Sequence, residues 1–89
     1  MTNSLADIQQ QMGAIWSRAL GAKQVAADDN FFAMGGHSLL GVKLIAEVQQ
    51  KLNPEGEVKL SDLFENPTLA GFSQRVAELM QGGEESGEL

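Results

Sequence analysis

Apolar residues recur at intervals of three and four along three stretches of the chain, and each stretch reads as an amphipathic helix. Leu5, Ile8, Met12, Ile15, Trp16 and Leu20 form the first stripe. Ser4 or Asn3 is placed to cap it, with Asp7 three residues after Ser4 in a capping-box-like spacing, and Gly21 follows as a C-cap. Gly41, Leu44, Ile45, Val48 and Leu52 form the second stripe and predict a helix from about Ser38 to about Leu52. Leu69, Phe72, Val76 and Leu79 form the third, flanked by Ala70 and Met80, with Thr68 as its cap and Gly82 and Gly83 as its end. Trp16 lies on the first stripe and is expected in the core.

Between the second and third stripes, Asn53-Pro54-Glu55-Gly56 is a helix stop and turn. Ser61, Asp62, Leu63 and Phe64 then read as a short capped helical turn, ended at Asn66-Pro67 because a residue before proline is pushed out of the α region. Three longer helices and one short one, joined by polar turns, predict an all-α fold, a small four-helix bundle.

Residues 22–37 (AKQVAADDNFFAMGGH) show little helical periodicity. A connection this long in a small domain is either functional or packed down by its own side chains. Val25, Phe31 and Phe32 are its apolar anchors, one Phe expected in the core and the other near Ser38. Asp28 and Asp29 are placed to cap a local turn. They lack the spacing of a calcium loop, and no metal site is expected. Gly35 and Gly36 let the backbone turn sharply. Ser38 then opens an apolar-periodic segment, the position of an N-cap residue. The reading is a lone hydroxyl on a turn at a helix N-terminus, where free N–H groups favour an anion such as a phosphodiester.

Two apolar residues fall off the second stripe, one turn from Ser38. Val42 is expected to be exposed; Leu39 either joins it or is covered by the preceding loop. With Met34 and Lys43 they are the candidates for partner docking. Gly41 inside a helix costs about 1 kcal/mol relative to alanine, a cost that a close helix–helix approach would justify.

With 89 residues, the chain has room for one core. Its lack of cysteine leaves packing alone to hold it. The net charge of −6, from 12 acidic and 6 basic residues, argues against nucleic acid and suits docking on basic patches of partner proteins. No apolar run is long enough to span a bilayer and no signal-peptide pattern opens the chain, so no membrane contact and a cytoplasmic location are expected. The residues after Gly82 are acidic and featureless, and a disordered tail over 83–89 is expected beyond a domain of residues 1–82.

Ser38 and His37 do not make a convincing hydrolytic pair. A serine nucleophile needs a base within hydrogen-bond reach and a third group to orient that base. Neighbours entering a helix point in different directions, His37 is the sole histidine, and no strand precedes the glycines to form a nucleophile elbow. Catalysis by this chain alone is not expected, and no catalytic residue is assigned.

Asp29, Asn30, Phe31, Phe32, Gly35, Gly36, His37, Ser38 and Leu39 closely resemble the core motif of the peptidyl carrier (thiolation) domains of nonribosomal peptide synthetases. Leu63-Phe64-Glu65-Asn66-Pro67-Thr68 is similar to that family's entry into its last helix, so the resemblance covers most of residues 5–80. Met34 and Gly41 depart mildly from the family's more usual leucine and alanine.

The resemblance implies a carrier-protein bundle with 4′-phosphopantetheine, taken from coenzyme A, attached covalently to Ser38. Aminoacyl or peptidyl groups would ride on the arm's thiol as thioesters. Gly36 and His37 would flank the group; His37 is either an exposed turn residue or a contact to the phosphate or the transferase. The implied partners are a phosphopantetheinyl transferase and adenylation, condensation, thioesterase or tailoring enzymes, and the carrier is expected to be a monomer. Two alternatives stand beside this. One is an acyl carrier of fatty-acid or polyketide type, disfavoured because Lys43 and Lys51 outnumber Glu47 on the second helix. The other is a non-covalent helical adaptor in which Ser38 is merely an N-cap.

Overall fold

The computed structural model describes residues 5–54 and 56–80. They form four helices: α1 (Leu5–Leu20), α2 (Ser38–Lys51), α3 (Leu60–Glu65) and α4 (Leu69–Met80). The caps expected at Ser4 or Asn3, the stop at Gly82-Gly83 and the acidic tail lie outside the described residues.

The stripes bury as their periods require. Ile8, Met12, Ile15 and Trp16 of α1, Leu44 and Val48 of α2 and Leu69, Phe72 and Val76 of α4 share one core, while Gly41 is buried toward Leu60 and Leu63 of α3. Helix α1 packs against both α2 and α4, while α3 lies against α2 and α4. Leu5 departs from its stripe: it lines a groove and stays exposed. Trp16 is fully buried, edge-on to Phe31 with ring centroids 5.3 Å apart and tilted against Phe72 at 6.1 Å.

Helix ends follow local chemistry. Gly21 takes φ 69°, and the Ala22 N–H donates to the Ser17 carbonyl at 3.0 Å, the six-to-one bond of a Schellman ending. Asn53 does the same service after α2 at φ 50°, and Pro54 prevents continuation. Thr68 caps α4 as expected, its hydroxyl accepting from the Gly71 N–H at 3.1 Å.

Two helix starts are corrected by the structure. Helix α3 begins at Leu60, so Ser61 lies inside it; the capping oxygen belongs to Asp62, which accepts from the Lys59 N–H at 2.8 Å. Helix α2 is capped by His37, not Ser38. The His37 backbone is extended (φ −146°, ψ 178°) and its carbonyl accepts the first helical bond, from the Gly41 N–H at 2.8 Å. Ser38 is the first residue inside the helix.

The long connection is packed down rather than free. Phe31 is buried and Val25 and Phe32 pack against the core from its edge. The backbone then ties itself to the start of α4: Phe31 N–H to Pro67 O at 2.8 Å, Leu69 N–H to Asp29 O at 3.1 Å and Ala70 N–H to Ala27 O at 2.9 Å. The last two satisfy first-turn donors of α4 that have no partner within the helix. Asp29 caps a local turn as expected, its carboxylate accepting from the Ala26 N–H at 2.8 Å.

Candidate functional site

The turn that precedes Ser38 is built from one helical coil over residues 31–35. Asn30 starts it, its Oδ1 accepting from Phe32 N–H at 2.9 Å and Ala33 N–H at 3.1 Å. Gly35 ends it at φ 100°, in the left-handed region where a side chain is strained, and with open space around the missing Cβ. Gly36 has a different reason to be glycine. A Cβ there would lie 2.4 Å from two ring carbons of Phe31 and 2.6 Å from its carbonyl oxygen. The Gly36 N–H donates to that same carbonyl at 3.0 Å. The turn thus lies flat on Phe31.

Ser38 emerges from this turn exposed, at the first position of a 14-residue helix. The backbone N–H groups of Ser38 and Leu39 have no acceptor among the described residues, so the positive end of α2 faces outward beside the hydroxyl. His37 is exposed, and its Nδ1 accepts from the Leu40 N–H at 3.5 Å, a long and weak cap. The side-chain hydrogen bond of His37 is this cap, and its partner is the Leu40 backbone rather than Ser38.

The expected docking residues surround this point. Leu39 is 63% exposed and Val42 52%, so the loop does not cover Leu39. Lys43 is exposed and Met34 half-buried. The first turn of α2 holds no acidic residue, and Glu47 is engaged by Arg18 of α1. The acidic surplus of the chain therefore does not reach the start of α2, in keeping with the lysine-rich second helix read from the sequence.

Phe64 was not singled out by periodicity, since α3 is too short to show any. It is 51% exposed and stacks on Phe32 at 5.4 Å; Phe32 in turn meets Phe31 edge-on at 5.3 Å. Of the two loop phenylalanines, Phe31 is the core residue and Phe32 the one that reaches out to α3.

These features fit a linear group carried outside the fold. The hydroxyl is accessible, no side chain stands at positions 35 and 36, and a phosphodiester would find free N–H donors beside it. A groove of about 580 Å³ lies instead between α1 and the first connection, lined by residues such as Gln9, Gly13, Val25 and Leu69 and not by Ser38. Among the described residues no group of side chains is gathered to hold a metal ion, and no helix is long and apolar enough to cross a membrane.

Residues 10–76 match the phosphopantetheine attachment site family. The chain belongs to that family. The carrier domain is 45% identical over 74 residues to surfactin synthase subunit 1 of Bacillus subtilis (strain 168), an alignment covering 83% of this chain and 2% of that protein. It thus spans a small fraction of the synthetase subunits it resembles. In structure it is similar to a peptidyl carrier protein bound to the phosphopantetheine transferase Sfp and coenzyme A, with TM-score 0.73 and 33% identity, covering 88% of this chain and 95% of that one. An active-site mutant peptidyl carrier protein in solution is similar too, with TM-score 0.73 and 34% identity over 80% of this chain and 77% of that one. The domain is a carrier without catalysis of its own, and its prosthetic group is 4′-phosphopantetheine.

Proposed function

We propose that this carrier domain serves nonribosomal peptide assembly, and that Ser38 is the residue to which 4′-phosphopantetheine is attached. The observation that carries the reading is Ser38 itself: an exposed hydroxyl at the N-terminus of α2, on a turn with no side chain at the two positions before His37. Ser38 needs no internal base, because the transferase, with a divalent metal, activates it. In loading, the Ser38 oxygen bonds to the β-phosphorus of coenzyme A as the bond to the adenosine bisphosphate leaving group breaks, and the hydroxyl proton passes to the transferase. When bound, the group supplies a long arm ending in a thiol that holds an aminoacyl or peptidyl group as a thioester.

The remaining residues of the site have supporting parts. Gly36 keeps the approach low, His37 holds the helix start beside the phosphate, and Met34, Leu39, Val42 and Lys43 meet partner enzymes. A transferase, adenylation, condensation, thioesterase and tailoring enzymes are the partner class, by analogy with the peptide synthetases the chain resembles. The bare, acid-free first turn of α2 supports a peptidyl rather than a fatty-acid-type carrier. The reading includes a cytoplasmic location, as expected for a protein loaded from coenzyme A.

The test is intact mass after incubation with coenzyme A, Mg²⁺ and a broad-specificity phosphopantetheinyl transferase. The wild type gains one phosphopantetheine and Ser38→Ala gains none. Equal loading of the variant would move the attachment point elsewhere.

A further inference from the structure

The turn before Ser38 is seated on one buried residue, Phe31. The Phe31 N–H is tied to the Pro67 carbonyl at 2.8 Å, in the connection between α3 and α4. Its carbonyl accepts from the Gly36 N–H at 3.0 Å. Its ring is fully buried, edge-on to Trp16 on one side and to Phe32 on the other, and fills the space a Gly36 side chain would need. The same ring comes within 4.0 Å of a Cβ placed at Gly41, one turn into α2. Phe31 therefore touches both ends of the segment that holds Ser38.

We propose that Phe31 is a positioning residue for modification of Ser38, and that Gly36 is glycine because its backbone must rest on the Phe31 ring and carbonyl. The inference rests on Ser38 being the attachment residue. Gly36 is outside the left-handed region that Gly35 occupies, so conformational freedom does not account for it. The two glycines do separate jobs: Gly35 permits the reversal, and Gly36 sets the height of the turn. Raising the turn by even a fraction of an ångström shifts the hydroxyl from its in-line approach to phosphorus, and group transfer is steeply sensitive to such misplacement. Leu39 and Val42 are exposed and keep their side chains in these variants, so the effect is expected mainly in turnover rather than in carrier affinity.

The experiment compares wild type, Gly36→Ala, Phe31→Leu and the double variant, with coenzyme A and the transferase as probe. Loading is followed by intact mass to obtain kcat and the KM for the carrier, and folding by thermal melting. Emission of Trp16, the chain's single tryptophan, reports independently on the ring beside it. Gly36→Ala and Phe31→Leu are each expected to lower kcat roughly tenfold or more with KM held within about twofold, and to change Trp16 emission while melting stays cooperative. Because both break one contact, the double variant is expected to load no more slowly than the worse single variant. Should Gly36→Ala fail to fold, Phe31→Leu, which keeps the core apolar, carries the test by itself. Wild-type kcat in a folded variant, or losses that multiply in the double variant, overturns the inference and leaves Ser38 untouched. A wild-type chain that gains no mass removes the Ser38 reading and this inference together.

Discussion

The Asp62 carboxylate accepts hydrogen bonds from Arg75 Nε at 2.9 Å and from the Lys59 backbone N–H at 2.8 Å. One carboxylate, 6% exposed, therefore starts α3 and ties it to α4. Arg75 also reaches Glu78 on its own helix. Its guanidinium is held above its ordinary value, chiefly by the side-chain hydrogen bond to Asp62. For a base whose folded pKa is raised, the linked stability is complete below the unfolded value and is lost only as pH climbs through the folded one. The arginine side of the clamp is thus unaffected across neutral and mildly alkaline pH.

Arg75→Met is expected to destabilise the fold by about 1–2 kcal/mol, below the figure for a fully buried pair because the guanidinium is partly in water. Asp62→Ala, which also removes the cap of α3, is expected to cost at least as much, about 2 kcal/mol. Urea denaturation of both and of the double variant decides the matter: a double cost equal to the sum would show that the two residues do not act as a pair.

Ser38→Ala is expected to change stability by less than about 0.5 kcal/mol, because Ser38 is inside α2 and alanine is a better helix former than serine. His37→Ala is expected to cost less than the usual 1 kcal/mol or so of a lost cap, given the 3.5 Å contact. Thermal melts of the two variants test this assignment of the cap. A larger loss for Ser38→Ala than for His37→Ala would return the cap to Ser38.

Gly41 sits where α2 and α3 come closest. A Cβ there would lie 2.9 Å from Leu60 Cδ1 and 3.2 Å from Leu63 Cδ2. The Leu60 terminus is half-buried and can give way, so for Gly41→Ala the helix-propensity gain of about 1 kcal/mol roughly offsets the crowding. Gly41→Leu has no such escape and is expected to lose about 1–3 kcal/mol as α3 is pushed off. Melting of both variants reads the difference; equal effects would mean that α3 does not rest on this glycine.

Leu39→Ala and Val42→Ala are expected to cost less than about 0.5 kcal/mol in folding, since both side chains are mostly in water, yet to weaken transfer to a partner enzyme. Partner turnover measured beside melting temperature separates the two. Normal turnover with a lowered melting temperature would assign these residues to the core.

Ser73 is fully buried on α4, and its hydroxyl has no partner among the described residues. Ser73→Ala is expected to stabilise the domain by about 1 kcal/mol, raising Tm by roughly 4–8 °C. An unchanged or lower Tm would show that the hydroxyl is satisfied in solution.

What could be read from the residues in order was whatever depends on near neighbours. The spacing of Ile8, Met12, Ile15 and Trp16, and of Gly41, Leu44 and Val48, marked the faces that are buried. Gly21, Asn53-Pro54 and Thr68 marked ends, since capping is settled within a few residues. The motif around Ser38 was legible for the same reason, as was the exposure of Val42 off its stripe.

Other features depended on pairs far apart in the chain. The pairing of Asp62 with Arg75, the stack of Phe32 on Phe64, and the bonds from residues 27–31 to Pro67, Leu69 and Ala70 have no period to announce them. The cap of α2 moved from Ser38 to His37 because the Gly36 backbone is seated on Phe31, which decides where the helix can begin. A hydrophobic period records that a face must be covered; only the folded chain decides which side chain covers it and at what height the next residue stands.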